Sequence, residues 1–265
     1  MTLDCRGELN ARLRRRPRSW MTATTTLRHF ALINYAVPAE LLRRHIPADR
    51  FDIPEFDTGA GPRAFLSVVP FLDVDFTFPR LAPFHRSTFY QTNHRAYVID
   101  RATGQHAVWF FGTNLGSPVV YAPRLLWRLP WHFARYSADC RWSPERRLYD
   151  RYRYHFDSPW CRAEIELEDA GRPIAKLPGF SSLDEMKLIL THPIAGFFRR
   201  LDGVLGTYGV WHPEMAMTTA APRKLYFSLY EDLGLLSRQE MSAPHSVFLC
   251  PEVEFEIDLP PRRLE

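Results

Sequence analysis

The sequence predicts a mainly β protein with a few short helices, its strands closed into an antiparallel barrel. Three observations carry this. Short runs of alternating apolar and polar residues recur along the chain, 22 prolines punctuate them, and a hydrophobic content of 46% with 14% aromatics supplies a sizeable core. A barrel is favoured over an open sheet because closure removes exposed strand edges, and a barrel of this size can enclose one small ligand.

The first 20 residues carry Arg6, Arg12, Arg14, Arg15, Arg16 and Arg18 against Asp4 and Glu8. They read as a basic, flexible extension, with Met21 an alternative start, and residues 21–265 as a single domain. The net charge of +4 belongs to this tail, so it does not indicate nucleic acid. Residues 27–46 begin as a strand and pass through Val37-Pro38 into a short helix, with Leu41, Leu42 and Ile46 facing inward. Residues 64–78 alternate as a strand, with Pro70 marking an edge or bulge, and residues 79–86 form a loop. Residues 88–100 and 105–114 make a hairpin around Ala102-Thr103-Gly104. Within its first strand Asn93, Arg95 and Tyr97 share one face, and His94, Ala96 and Val98 take the other.

Residues 118–128 suit a short helix containing Pro123, and Leu129-Pro130-Trp131-His132 opens the next strand. In residues 148–157, Arg151, Arg153 and His155 alternate with Tyr152, Tyr154 and Phe156. This is a polar outer face over an aromatic inner one; a nucleic-acid platform would mix the two. Residues 181–202 read as helix, opened by Ser182 and Glu185 at capping-box spacing. Residues 208–217 and 225–230 resemble strands or a strand–helix pair, and residues 246–259 a terminal strand ended by Pro260-Pro261.

Cys5, Cys140, Cys161 and Cys250 are too scattered for a disulfide framework or a zinc site, and read as buried thiols. No HxxxH or HExxH motif suggests a metal. Gly112-Thr113-Asn114-Leu115-Gly116-Ser117 lacks the lysine of a phosphate loop, and Ser117 lacks a nucleophile-elbow context. No cofactor is expected. There is neither an 18-residue apolar run nor a signal-peptide core, so the expectation is a cytoplasmic protein without a membrane partner. A homodimer, the commonest soluble oligomer, is the expected assembly if there is one.

Several motifs in order resemble a known family. Phe89-x-Gln91-x-Asn93-x-Arg95-x-Tyr97-Val98, then Val108-Trp109-Phe110-Phe111, then Leu129-Pro130-Trp131-His132-x-Ala134 are similar to the YqjF-like bacterial family of unknown function. His212-Pro213 and Phe255-x-Ile257-x-Leu259-Pro260-Pro261 extend the likeness over residues 27–262. That family falls within the acetoacetate-decarboxylase-like superfamily, and the resemblance implies a cone-shaped antiparallel β-barrel with a buried pocket. True acetoacetate decarboxylases use a lysine pair after a Gly-x-Pro turn and a glutamate on a neighbouring strand. Here Trp131 and His132 fall at the lysine positions, and Gln91 falls where a carboxylate is expected. Lys176, Lys187 and Lys224, the only lysines, lie far from that turn in sequence. Schiff-base decarboxylation is therefore disfavoured.

The candidate site is Arg95, Asn93 and Gln91 as polar ligands, walled by Tyr97, Trp109 and Trp131. Three functions stay open. The first is binding of a small carboxylate- or carbonyl-bearing organic molecule. The second is a lyase or isomerase with His132 as proton shuttle and Arg95 stabilising charge. The third is a structural or interaction protein whose barrel is filled by its own aromatics. A pair of His212 with Glu214 is a weaker proton-transfer candidate, because Pro213 separates them.

Overall fold

The computed structural model describes residues 4–59 and 61–264. α1 (Cys5–Leu13) precedes β1 (Thr22–Val37). α2 (Ala39–Arg43), β2 (Phe51–Asp52) and β3 (Phe56–Asp57) lead to the long β4 (Pro62–Phe78), β5 (Ala82–Asp100) and β6 (Gln105–Leu115). A 3-10 turn (Pro118–Val120) and α3 (Tyr121–Trp127) deliver β7 (Trp131–Phe133), β8 (Arg135–Ser143), β9 (Leu148–Asp157) and β10 (Ala163–Pro173). Then come α4 (Leu183–Leu190), β11 (Ala195–Arg199), β12 (Leu205–Trp211), β13 (Thr218–Phe227), α5 (Ser228–Asp232), α6 (Arg238–Met241), β14 (Ser246–Asp258) and β15 (Arg262–Arg263).

The expected closed, cone-shaped antiparallel barrel is corrected. The strands form one mixed sheet with two ends, in the order β15-β12-β11-β6-β5-β4-β1-β14-β13-β10-β9-β8. β6 pairs in parallel with β11 and with β7. β12 meets β14 at only two positions (Val210 with Ile257, Trp211 with Glu256), which curls part of the sheet onto its middle and leaves both ends open. Closure is not required because the ends are blunted in other ways. β15 is two residues long, and β8 presents exposed Arg135 and Arg141.

The core divides over the two faces of the central strands. On one face Leu27, Phe30, Val69, Phe71, Val108 and Phe110 belong to one buried cluster. On the other, Ile33, Val68, Ala96 and Trp109 pack with Tyr152, Tyr154 and Phe156 of β9. Bulges switch strands between these faces. The β1–β4 register shifts between Arg28 and Ile33, beside His29 at φ 52°, so Leu27 and Phe30 reach the same side although three residues apart. The β5–β6 register shifts between His94, opposite Gly112, and Arg95, opposite Phe110. A Cβ on Gly112 would sit 2.6 Å from the Trp160 ring and 2.9 Å from the Pro130 carbonyl, so only glycine fits there.

Locally most elements follow the sequence. β9 buries Tyr152, Tyr154 and Phe156 and exposes Arg151, Arg153 and His155. Ser182 caps α4 by accepting from the Glu185 N–H at 3.0 Å. The helix stops at Leu190, short of the expected residue 202, because Pro193 follows and residues 195–199 pair as β11. The 79–86 loop is instead mostly strand, β4 and β5 continuing as a hairpin to Phe78 and Ala82. The arginine-rich segment carries α1, with Leu9 and Arg12 buried. Arg12 Nη1 donates to the His192 carbonyl at 2.7 Å, and Arg18 pairs with the buried Glu256 at 2.6 Å. All four cysteines are free thiols; Cys161 and Cys250 are buried.

Candidate functional site

A cavity of about 50 Å³ opens on the first of these two faces. Its apolar walls come from β1 (Leu27, Phe30), β4 (Val69, Phe71), β6 (Val108, Phe110) and β14 (Phe255, Ile257). Alternation along β5 brings Gln91, Asn93 and Arg95 into it together, and Trp131 of β7 completes that side. The turn after α4 and the segment after β12 add Thr191, His212 and Met215.

Arg95 is held from behind. Its Nε donates to Ser67 Oγ at 3.0 Å and its Nη2 to the Leu190 carbonyl at 3.2 Å. That carbonyl closes the C-terminus of α4, where partial negative charge favours a guanidinium. Tyr97 donates to the same carbonyl at 3.1 Å, and its ring centre lies 5.6 Å from the guanidinium carbon. Tyr97 therefore supports Arg95 from the core and does not wall the cavity. Among the described residues Arg95 has no acidic partner, and its Nη1 makes no hydrogen bond. Tyr208 and His212 line the same cavity, and the Arg95 charge favours the phenolate of the one and disfavours the imidazolium of the other.

Asn93 and Gln91 form a small chain. Gln91 Nε2 donates to Asn93 Oδ1 at 3.0 Å, and Thr113 Oγ1 donates to the same oxygen at 2.9 Å. The carboxamide orientation is thereby fixed, with the Asn93 amide nitrogen and the Gln91 oxygen left over. At the far end of the row is Asp73, 2% exposed, with Oδ2 unpartnered. Burial raises its carboxyl from the usual 3.8 to about 7, opposed slightly by Thr25.

Two expected residues face elsewhere. Trp109 pairs with Ala96 across the hairpin, which places it on the opposite face, where its ring packs 5.6 Å from Phe51. His132 stacks flat on Trp160 at 4.2 Å and is not part of the cavity wall. Burial, aided by Arg124, lowers its pKa to about 4, so it is neutral near pH 7. Sequence reasoning missed Asp73 and Tyr208, and ranked His212 low. In the structure His212 lies 4.5 Å from His192 between ring centres, with Nδ1 2.8 Å from the Pro213 carbonyl and Nε2 2.8 Å from the Thr191 carbonyl, so that the single N–H of the neutral ring donates to one of the two. The alternation of residues 64–78 did signal that Asp73 shares a face with Val69 and Phe71.

No lysine lines the cavity. Lys187 pairs with Glu214 and Lys224 with Glu164, while Lys176 is exposed. No group of metal-ligating side chains occurs among the described residues, and no helix there is long and apolar enough to cross a membrane.

The curved sheet is similar in fold to several solved enzymes. The enduracididine biosynthesis enzyme MppR, solved in complex with pyruvate, superposes with a TM-score of 0.57 at 11% identity, over 92% of this chain and 90% of that one. MppR with a condensation product of pyruvate and imidazole 4-carboxaldehyde gives 0.58 at 13% identity, over 91% and 88%. Acetoacetate decarboxylase from Legionella pneumophila gives 0.52 at 12% identity, over 95% and 92%. Such identities establish the fold alone. The chain itself belongs to the DUF2071 family, described as an uncharacterized conserved protein, whose profile matches residues 24–254. No curated protein matches by sequence.

Proposed function

We propose that the cavity binds a small organic carboxylate, with Arg95 as its anion anchor and without covalent attachment to lysine. One observation carries this: a guanidinium fixed from behind by Ser67 and Leu190 faces an apolar cavity with no acid beside it. An uncompensated charge in such a place is costly, and an incoming carboxylate removes that cost by accepting from Nη1. Tyr208 supplies a further hydroxyl nearby. MppR, of the same fold, was crystallised with pyruvate, which is consistent in kind. The 50 Å³ holds more than one water, which needs roughly 10–15 Å³. It is far too small for a nucleotide.

The other two readings have less support. A His132 proton shuttle lacks contact with the cavity, and the void weighs against a self-filled interior.

The test is titration calorimetry of the full chain with acetate, pyruvate and the neutral isostere acetamide. The two acids should bind and acetamide should not. Arg95→Leu, folded by circular dichroism, should lose acid binding by at least tenfold. Equal acid affinity in wild type and Arg95→Leu would sink the reading.

A further inference from the structure

Where α4 ends, three consecutive backbone carbonyls each face a basic side chain. The Leu190 carbonyl accepts from Arg95 Nη2 at 3.2 Å, the Thr191 carbonyl lies 2.8 Å from His212 Nε2, and the His192 carbonyl accepts from Arg12 Nη1 at 2.7 Å. Consecutive Cα atoms are about 3.8 Å apart, so the His212 ring is held one residue along from the carbonyl that holds the Arg95 guanidinium. The partial negative charge at the C-terminal end of a helix favours a cation in each of these places.

His212 differs in its bonding from the histidine beside it. In His192 one nitrogen is partnered. The Thr191 hydroxyl gives its proton to the Lys187 carbonyl and so accepts from Nδ1, while Nε2 is buried without a partner. That is the pattern of a neutral ring. In His212 both nitrogens face carbonyls at 2.8 Å, and a carbonyl can only accept. A neutral ring there sets one bare lone pair against a carbonyl oxygen, whereas the imidazolium satisfies both sides. The Phe255 ring, stacked 5.5 Å away at 12°, presents a face that also favours a cation. Burial first, and then the charge of Arg95, oppose the proton. A carboxylate on Arg95 cancels the second of these.

Building on the Arg95 reading above, we infer that His212 is the second cation of the anion site, taking one proton from solvent when a carboxylate binds at Arg95. Both of its N–H groups stay on the backbone, so it acts on the occupant by charge and not by contact. Its neighbours leave that role to it. Burial holds His192 neutral, with a pKa of about 3, and keeps the Tyr208 phenol protonated. Glu214 is tied to Lys187, and Glu256, next to Phe255 on β14, is tied to Arg15 and Arg18. Asp73 stands opposite Phe89, six residues along β5 from Arg95. The pKa of His212 is lowered in the free protein and higher in the complex, so between the two values the complex holds a proton that the free protein lacks. Acid binding therefore strengthens as pH falls through that window.

The test is titration calorimetry of the full chain with acetate at pH 6.5 in two buffers of different ionisation enthalpy, which counts the protons taken up. Between about half and one proton should enter per acetate, and acetate affinity should rise at least about threefold from pH 8 to pH 6. His212→Gln should show neither effect, and Asp73→Asn should keep the proton uptake. In nitrogen-15 spectra of the wild type, both ring nitrogens of one histidine should move to imidazolium positions on saturation with acetate, which reads the same event without a variant. Equal heats in the two buffers, uptake that survives His212→Gln or vanishes in Asp73→Asn, or histidine spectra unmoved by acetate would overturn the inference while Arg95-dependent acetate binding still stood. Acetate binding indifferent to Arg95→Leu would overturn both.

Discussion

Replacing Asp73 with asparagine should stabilise the fold, and by an amount that grows with pH. The carboxyl is wholly buried on β4, has Oδ2 unpartnered, and has its pKa raised from 3.8 to about 7, chiefly by burial. In the unfolded chain it ionises at its ordinary value, so between pH 3.8 and about 7 the folded state holds a proton that the unfolded state has released. Unfolding thus becomes easier as pH rises through that window, and the loss is complete above about 7. At 1.36 kcal/mol per tenfold, a displacement from 3.8 to about 7 corresponds to about 4 kcal/mol at the alkaline end. Asparagine keeps the shape and cannot ionise. The assay is urea unfolding of wild type and Asp73→Asn across pH 4 to 8, comparing midpoints at fixed slope. The variant's advantage should be near zero at the acid end and on the order of 3–4 kcal/mol at the alkaline end. A difference that does not change with pH would show that Asp73 titrates normally, and that it is neither enclosed nor unpartnered.

Two other substitutions follow from the packing. His94 is wholly buried among Phe156, Trp160, Phe227 and Tyr230, and burial lowers its pKa to about 3. The unfolded chain takes up a proton below about 6.5 that the folded chain refuses, so stability from this site is lost as pH falls from about 6.5 toward 3. His94→Phe should therefore unfold less readily than wild type at pH 4.5, by thermal melting, with little difference at pH 8. Gly196→Ala drives a methyl group into the Phe110 ring inside the cavity. It should cost about 1–3 kcal/mol by urea unfolding and weaken acetate binding in the titration used for Arg95→Leu.

How much of this was readable from sequence depends on range. The two faces of β5 follow from alternation alone, which is why Gln91, Asn93 and Arg95 do meet in one cavity. Trp109 was within reach of the same logic. Counting back from the turn pairs Asp100 with Gln105 and hence Ala96 with Trp109, so the tryptophan shares a face with Ala96 and Val98. Naming it a pocket wall neglected register. His132 was harder to place, because the bulge at Gly112 and the parallel pairing of β7 with β6 decide its direction, and neither leaves a local signal. The open sheet was missed for a related reason. The barrel argument assumed that edges must vanish, whereas this chain ends its sheet in a two-residue strand and a charged one. The packing of the N-terminal segment is a long-range matter too. Composition shows six arginines, and only the fold shows that Glu254 and Glu256 of β14 lie opposite Arg15 and Arg18.

The absence of lysine from the cavity separates shared fold from shared chemistry. An imine-forming enzyme needs a desolvated amine whose pKa is lowered by a neighbouring cation or by burial. In this chain the positions after the Leu129-Pro130 turn hold Trp131, whose ring narrows the cavity, and His132, whose ring is turned away onto Trp160. No amine could be supplied by a rotamer change, since Lys187 and Lys224 are tied into ion pairs with Glu214 and Glu164. The ionisable groups that remain in the cavity are a fixed guanidinium, a carboxyl, a phenol and an imidazole whose pKa burial lowers. Such a set can grip an acid at one end and exchange a proton at the other, and it has no nucleophile suited to holding a substrate covalently. Asp73, whose carboxyl burial raises to about 7, is a cavity group placed to exchange a proton near neutral pH.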